Sequence, residues 1–366
     1  MAASQIEGVD SKVKLDLRGR RFTLERDSLM ELPESVLLCL FPNGVVLSSQ
    51  RAQGGEMDGA EEEEEEVYYV DFDGPCLDFI LNFFLQAKED FYGPPSAPTR
   101  PNRDFSDPAA ASNPLFHKQA IIVLREELEY FAIPPKKPTD GTAITEDFPS
   151  TDDEGLPNKG LPNLKKECGQ QLLERKSIFT ALQRNVNREN NLAEQHLIDM
   201  LCMSGFDRAD EWGYRSLEPN RCCIASIALV LLKTGIGQPP EGSDPNTEEG
   251  QPPVNAQQLA TAQKLLLFWR KPARKCWWDA TEIELPSMGK VIKVWARRVW
   301  TLELSLVRHP FYSRPNIDSG DRRYNLVERT TGWPRMSLSL MTNIYSASIA
   351  TFTLIFYLLL SSIYPQ

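Results

Sequence analysis

Apolar and polar residues alternate at the start of the chain. Val13, Leu15 and Leu17 are separated by Lys14 and Asp16, and after Gly19 the alternation resumes at Phe22 and Leu24. A period of two predicts strands, and the glycine between the two runs predicts a β-hairpin. The following run, SLMELPESVLLCLFP, has Ser28 and Glu31 at capping-box spacing, and Pro33 suits the first turn of a second helix carrying Leu37, Leu38, Leu40 and Phe41. Further on, Val67–Phe72 reads as a strand. Asp73-Gly74-Pro75 then starts a helix, because the aspartate can cap it and a proline in the first turn forfeits no hydrogen bond. Leu77, Ile80, Leu81, Phe84 and Leu85 form its expected buried face. A third helix is predicted in HKQAIIVLREELEYFAIPP, where Ile121, Leu124, Leu128 and Phe131 recur at spacings of three or four before Pro134.

In the second half, Leu192, His196 and Met200 with Ala193, Leu197 and Leu201 form one apolar helix face that Gly205 can end. The run Cys222–Leu232 fits a buried strand and a short helix equally well. Trp300, Leu302, Leu304 and Leu306 alternate with Thr301, Glu303 and Ser305, which predicts a closing strand. The fold class is α+β. Segments 44–66, 93–113, 134–164 and 235–255 are rich in Pro, Gly, Ser and acids and read as loops or linkers. The expected organisation is a first domain over 12–133 interrupted by loops 44–66 and 93–113, a linker 134–164, and a second α+β domain over 165–307 with loop 235–255. A linker 308–335 and an uncharged apolar tail 336–366 complete it.

Charge narrows the choice of partner. The formal net charge is −11, and the first 160 residues carry the acidic excess with 31 acids against 15 bases. Such a chain repels phosphate backbones, so no nucleic-acid partner is expected. The N-terminus lacks the basic and apolar regions of a signal peptide, which makes the cytoplasm the default location. Seven cysteines without a CxxC pair suggest reduced thiols and neither a disulfide framework nor a zinc site.

Catalytic chemistry finds little support. Of the three histidines, His117, His196 and His309, only His196 has a cysteine nearby, Cys202, and it lies on the apolar face just described. Gly235-Ile236-Gly237 runs into QPPEGSDPN instead of a helix, so no helix N-terminus waits there for a phosphate. Asp71-Phe72-Asp73 has an Asp-x-Asp form, but capping the next helix accounts for it. No enzyme, cofactor or metal is expected.

Four other features invite a function. The run Glu61–Glu66 reads as a solvated loop. Between Leu265 and Trp300 eight Lys/Arg outnumber three acids, and Trp277, Trp278, Arg297 and Arg298 are the candidate partner surface. The competing reading has Trp277, Trp278, Trp295 and Trp300 filling a small core. Ser150 and Thr151 each precede an acid by three residues and are candidate phosphosites. Residues 344–364 have about the ~20-residue length needed to cross a bilayer, and Arg322, Arg323, Arg329 and Arg335 before them would hold the folded part in the cytosol. The alternative for this tail is a misread gene end.

The blocks RFTLERDSLMELPESVLLCLF, VYYVDFDGPCLDFILNFFLQA and VLREELEYFAIP, following the hairpin in this order, resemble the BTB/POZ domain of the potassium-channel tetramerisation (KCTD-like) type. The resemblance implies a homo-oligomer, with Asp71, Asp73, Arg125 and Glu126 in the compact fold and around the subunit contact. The later blocks CGQQLLERKSIFTALQRNVNRENNLAEQHLIDMLCMSGF, DEWGYRSLEPNRCCIASIALVLL and VIKVWARRVWTLELSLV resemble the fungal Whi-type growth regulators. That likeness implies a part in general stress response, activation of plasma-membrane phosphatases of the HAD type, and restraint of the target-of-rapamycin pathway. The resulting expectation is a non-enzymatic adaptor that self-associates and brings a phosphatase to its signalling context. The alternative is a substrate adaptor of a cullin ubiquitin ligase.

Overall fold

The computed structural model describes residues 12–42, 67–93, 112–133, 160–189, 192–237, 252–286 and 289–307. Strands β1 (Lys12–Leu17) and β2 (Arg20–Glu25) form the expected hairpin, turning through Arg18 and Gly19, both at positive φ. Asp16 accepts the Gly19 amide at 2.7 Å and fixes the turn. Strand β3 (Val67–Val70) joins β1 in parallel, giving a three-stranded sheet in the order β2-β1-β3.

Three helices accompany this sheet: α1 (Arg26–Met30), α2 (Glu34–Leu40) and α3 (Gly74–Tyr92). Asp73 is the N-cap of α3 and accepts the Cys76 amide at 3.3 Å, as expected of an aspartate before Gly-Pro. The Ser28–Glu31 capping box is not formed. Ser28 lies inside α1, whose N-cap is Glu25, and Glu31 follows the helix instead of reaching back to its start. Leu85, assigned to a buried face from spacing, is exposed, as is Leu38 of α2, while Val36, Leu77 and Ile80 are fully buried.

The main correction concerns the expected helix at the end of this segment. Ala120–Ile133 is a strand, β4, preceded by a single helical turn α4 (Pro114–His117). Successive residues Ile121, Ile122, Val123 and Leu124 are all fully buried, on alternate faces of the strand. A continuous apolar run of that kind fits both periods, and β-branched residues favour the extended one. Strand β4 lies at the centre of a five-stranded antiparallel sheet ordered β5-β6-β4-β8-β7. Its companions are β5 (Tyr214–Leu217), β6 (Cys223–Leu231), β7 (Ala273–Leu285) and β8 (Lys290–Leu306). The ambiguous run at 222–232 is thus a strand, and the alternation ending at Leu306 belongs to a long one. The large sheet spans the expected linker 134–164: its central strand comes from the first segment and its other four from the second.

Two apolar layers clothe this sheet. Helices α5 (Gly160–Leu173), α6 (Thr180–Glu189), α7 (Leu192–Ser204) and α8 (Ala256–Trp269) complete the second segment. On one face Ile122, Leu124, Trp300 and Leu302 pack with Leu182, Leu197, Leu201 and Leu265 of α6, α7 and α8, and further along Leu128 and Val294 pack with Cys168 and Leu172 of α5. On the other face Ile121, Val123, Ile227 and Leu229 join Leu15, Val36, Leu77 and Ile80 of the N-terminal unit. Burial of these side chains removes the apolar area that stabilises the fold, at about 25 cal/mol per Å². The N-terminal unit does not cover the whole face. On this face Glu127, Glu129 and Phe131 of β4, Lys293, Trp295 and Arg297 of β8, and Cys276 and Trp278 of β7 are exposed or half-exposed, while Val299, opposite Glu127, is buried.

Candidate functional site

Strict alternation along β7 and β8 divides the candidate partner residues between two faces. Trp278 is opposite Arg297 in the register and Trp277 is opposite Arg298. Trp278 and Arg297 stand on the open face, whereas Trp277 is half-buried and Arg298 buried beneath the helices. Trp277 packs edge-on against Trp300, with ring centroids 5.3 Å apart. Two neighbouring tryptophans thus have separate duties: one fills the core and the other meets solvent.

The open face has an aromatic centre. Trp278 is 55% exposed, Phe131 51% and Trp295 40%. Phe131 is directly opposite Trp295 across β4 and β8, and its ring lies 5.9 Å from that of Trp278 on β7. Lys293 places its Nζ 5.4 Å over the Trp295 ring, and Arg297 Nη1 donates to Glu129 Oε2 at 3.0 Å. The hydrogen bond to Glu129 raises the Arg297 pKa, so its charge persists at any working pH. Val291 is also exposed. An aromatic centre with charged neighbours is the composition of a protein-binding patch. Phe131 is absent from the expected surface because a helical reading placed it with Leu128 on a buried face. Its alternation with Tyr130 and Ala132 carries the information that places it outward.

Arg125 and Glu126 are adjacent and also point to opposite faces. Arg125 Nη1 donates to the Ser35 carbonyl at 2.8 Å, which ties β4 to α2. Glu126, 1% exposed, accepts from Arg298 Nη1 at 2.8 Å and from Trp300 Nε1 at 2.9 Å, and Arg215 Nη2 lies 3.5 Å from its other oxygen. Asp71 is exposed and accepts from Arg18 Nε at 2.6 Å. Asp73, besides capping α3, accepts the Tyr214 hydroxyl at 3.0 Å and so joins α3 to β5. All four residues therefore make contacts inside this chain that connect its elements, Asp71 doing so at the surface.

Ser150, Thr151, the Glu61–Glu66 run and residues 344–364 lie outside the described residues. Among the described residues, no helix is long and apolar enough to cross a membrane. His196 lies half-buried on α7, away from the open face.

No protein-family model matches the chain. It is 37% identical over 306 residues to a WHI2-like protein of Schizosaccharomyces pombe, which covers 82% of this chain and 90% of that protein. It is 26% identical to a growth regulation protein of Saccharomyces cerevisiae over 81% of this chain and 92% of the relative. An uncharacterized Schizosaccharomyces pombe protein is 23% identical over 83% of this chain and 90% of its own length.

Proposed function

We propose a growth-regulating adaptor function for this chain, which belongs to the family of WHI2-like proteins. In this reading the chain performs no catalysis. It self-associates through its N-terminal unit, for which a BTB/POZ-like arrangement is part of the proposal, and it brings or activates a phosphatase of the HAD type in stress and nutrient signalling. One observation carries the docking part: Phe131, Trp278 and Trp295 form an aromatic cluster on a sheet face that the rest of the described chain leaves open. Large rigid rings beside charged neighbours supply binding energy when a partner covers them. The name growth regulation protein, borne by the budding-yeast relative, supports the signalling context.

The test is affinity capture of the full chain and of a Trp278→Ala/Trp295→Ala variant, followed by mass spectrometry. The expected result is a phosphatase that co-purifies with the natural chain and is lost from the variant. Recovery of a cullin in place of a phosphatase would transfer the reading to ubiquitin ligation. Light scattering of the full chain checks self-association, and a strict monomer would remove that part.

A further inference from the structure

On the opposite side of the sheet, arginines outnumber carboxylates. Arg298 and Arg215 flank buried Glu126, and Arg298 Nε lies 3.8 Å from Asp279 Oδ2, which Arg184 Nη2 also approaches at 3.6 Å. Arg175 Nη1 donates to Thr281 Oγ1 at 2.6 Å, and Arg184 Nη1 reaches the same hydroxyl at 3.5 Å. Four guanidinium groups thus share two carboxylates. The Nε atoms of Arg184, Arg215 and Arg298 are buried without a hydrogen-bond acceptor, and Asp279 Oδ2 is likewise buried without a hydrogen-bond donor; Arg215 and Arg298 are each more than nine-tenths buried. Burial lowers the pKa of Arg175, and neighbouring Arg184 and Arg298 lower it further; burial and Arg298 do the same to Arg215. Burial is the first cause of both shifts, and Asp279 at Arg175 and Glu126 at Arg215 partly offset it.

One member of this cluster, Arg184, also lines a cavity. A pocket of about 330 Å³ between α6 and α7 is lined by Arg184 and Arg208, by Ser177, Thr180, Gln183 and Asn187, and by the apolar Phe179 and Ile198. No carboxylate lines it. Arg208 is exposed and paired with Asp199, so its other donors remain within reach of solvent. The start of α6 forms part of the wall, and the partial positive charge of a helix N-terminus adds to that of the arginines. We propose that this pocket binds a small phosphate-bearing anion, with Arg184 and Arg208 on the phosphate. Guanidinium forks match phosphate oxygens in geometry and charge, and the hydroxyls and amides of the lining supply further donors. A half-open pocket of this size suits a small molecule better than a macromolecular groove. The site lies across the sheet from the aromatic face and does not depend on the docking role given to that face.

The experiment titrates the full chain with inorganic phosphate and with phenyl phosphate, using sodium chloride at matched ionic strength as the reference, and follows thermal unfolding and heat of binding. Both probes are expected to bind saturably and to stabilise the chain more than chloride does. Arg208→Gln, at a solvent-exposed side chain that leaves the packing intact, and Arg184→Gln should each weaken phosphate binding at least tenfold, whereas Arg297→Gln on the far face should leave phosphate affinity unchanged. Stabilisation no greater than that by chloride, or binding undiminished in a folded Arg208→Gln variant, would overturn the proposal.

Discussion

Glu303 on β8 accepts the backbone amide of Ser35 at 2.8 Å across 268 residues of sequence, and its second oxygen accepts the amide of Glu34 at 2.7 Å. A side chain of the large sheet thereby caps the start of α2, where the chain has only Pro33 and no local side-chain cap. The carboxylate is almost fully buried, so the two segments are joined by a polar clasp inside an apolar contact.

Replacing Glu303 by alanine leaves the buried Ser35 amide and its neighbour without an acceptor. The expected loss is about 1–3 kcal/mol, read from the urea unfolding midpoint. The pH dependence has a definite sign. Burial raises the Glu303 pKa above its ordinary value and outweighs the Ser35 and Glu34 hydrogen bonds that lower it. The folded state therefore holds the proton more firmly than the unfolded chain does. The stability this contributes is fully present below the ordinary carboxylate range and is lost as pH rises through the raised value. Against a non-titrating Glu303→Gln variant, the natural chain should lose relative stability on going upward from about pH 4. A constant or opposite difference would contradict the assignment.

Glu126 is the counter-charge of a buried group, so its removal should cost more. Glu126→Leu leaves Arg298 and Arg215 inside the sheet without it, a loss of about 3–5 kcal/mol. Adding Arg298→Leu should restore part of that loss, because two buried apolar groups replace an ion pair at little net cost. Denaturant titration of the two single variants and the double variant gives the coupling. Simple additivity would mean that the pair is not interacting.

Thiol reactivity should follow burial. Cys76 and Cys223 are pushed up to about 12 and Cys168 to about 11, chiefly by desolvation, so they stay protonated at neutral pH, whereas Cys276 is exposed on the open face. Iodoacetamide at pH 8 should label Cys276 first and leave those three unlabelled until the protein unfolds. Peptide mapping by mass spectrometry reads the order.

Gly169 in α5 has no room for a methyl group. A Cβ there would sit 2.3 Å from the Tyr130 hydroxyl and 2.9 Å from Leu217. Alanine is the better helix former by about 1 kcal/mol, yet Gly169→Ala should lower the thermal midpoint, since overpacking costs about 1–3 kcal/mol. Pairing it with Tyr130→Phe, which removes the nearest atom but leaves the ring carbon and Leu217 each at 2.9 Å, should recover only part of the difference.

The elements most legible in the sequence were those with one dry face and a local start signal. The hairpin over residues 12–25, the Asp73 cap and the strand ending at Leu306 follow from alternation and from residues adjacent in the chain. Strand β4 was illegible for a physical reason. Its first half is buried on both sides, so its pattern has no polar phase, and its partners β6 and β8 lie far away in sequence. The same error hid Phe131 from the open face, while Trp278 and Arg297 were found by composition and could be parted from Trp277 and Arg298 only by register. The arginine cluster left no local signature, because Arg175, Arg184, Arg215 and Arg298 meet only through the fold.

The position of β4 also governs the order in which the molecule can be made. A ribosome delivers Ala120–Ile133 before either neighbour exists; Cys223–Leu231 must emerge before one edge is closed, and Lys290–Leu306 before the other. Throughout that interval the nascent chain holds an apolar strand with two unpaired edges, the kind of surface that other chains join. Final closure awaits nearly the last described residue, so a chain truncated before β8 would lack a neighbour for its central strand, and shielding during synthesis becomes a requirement of this topology.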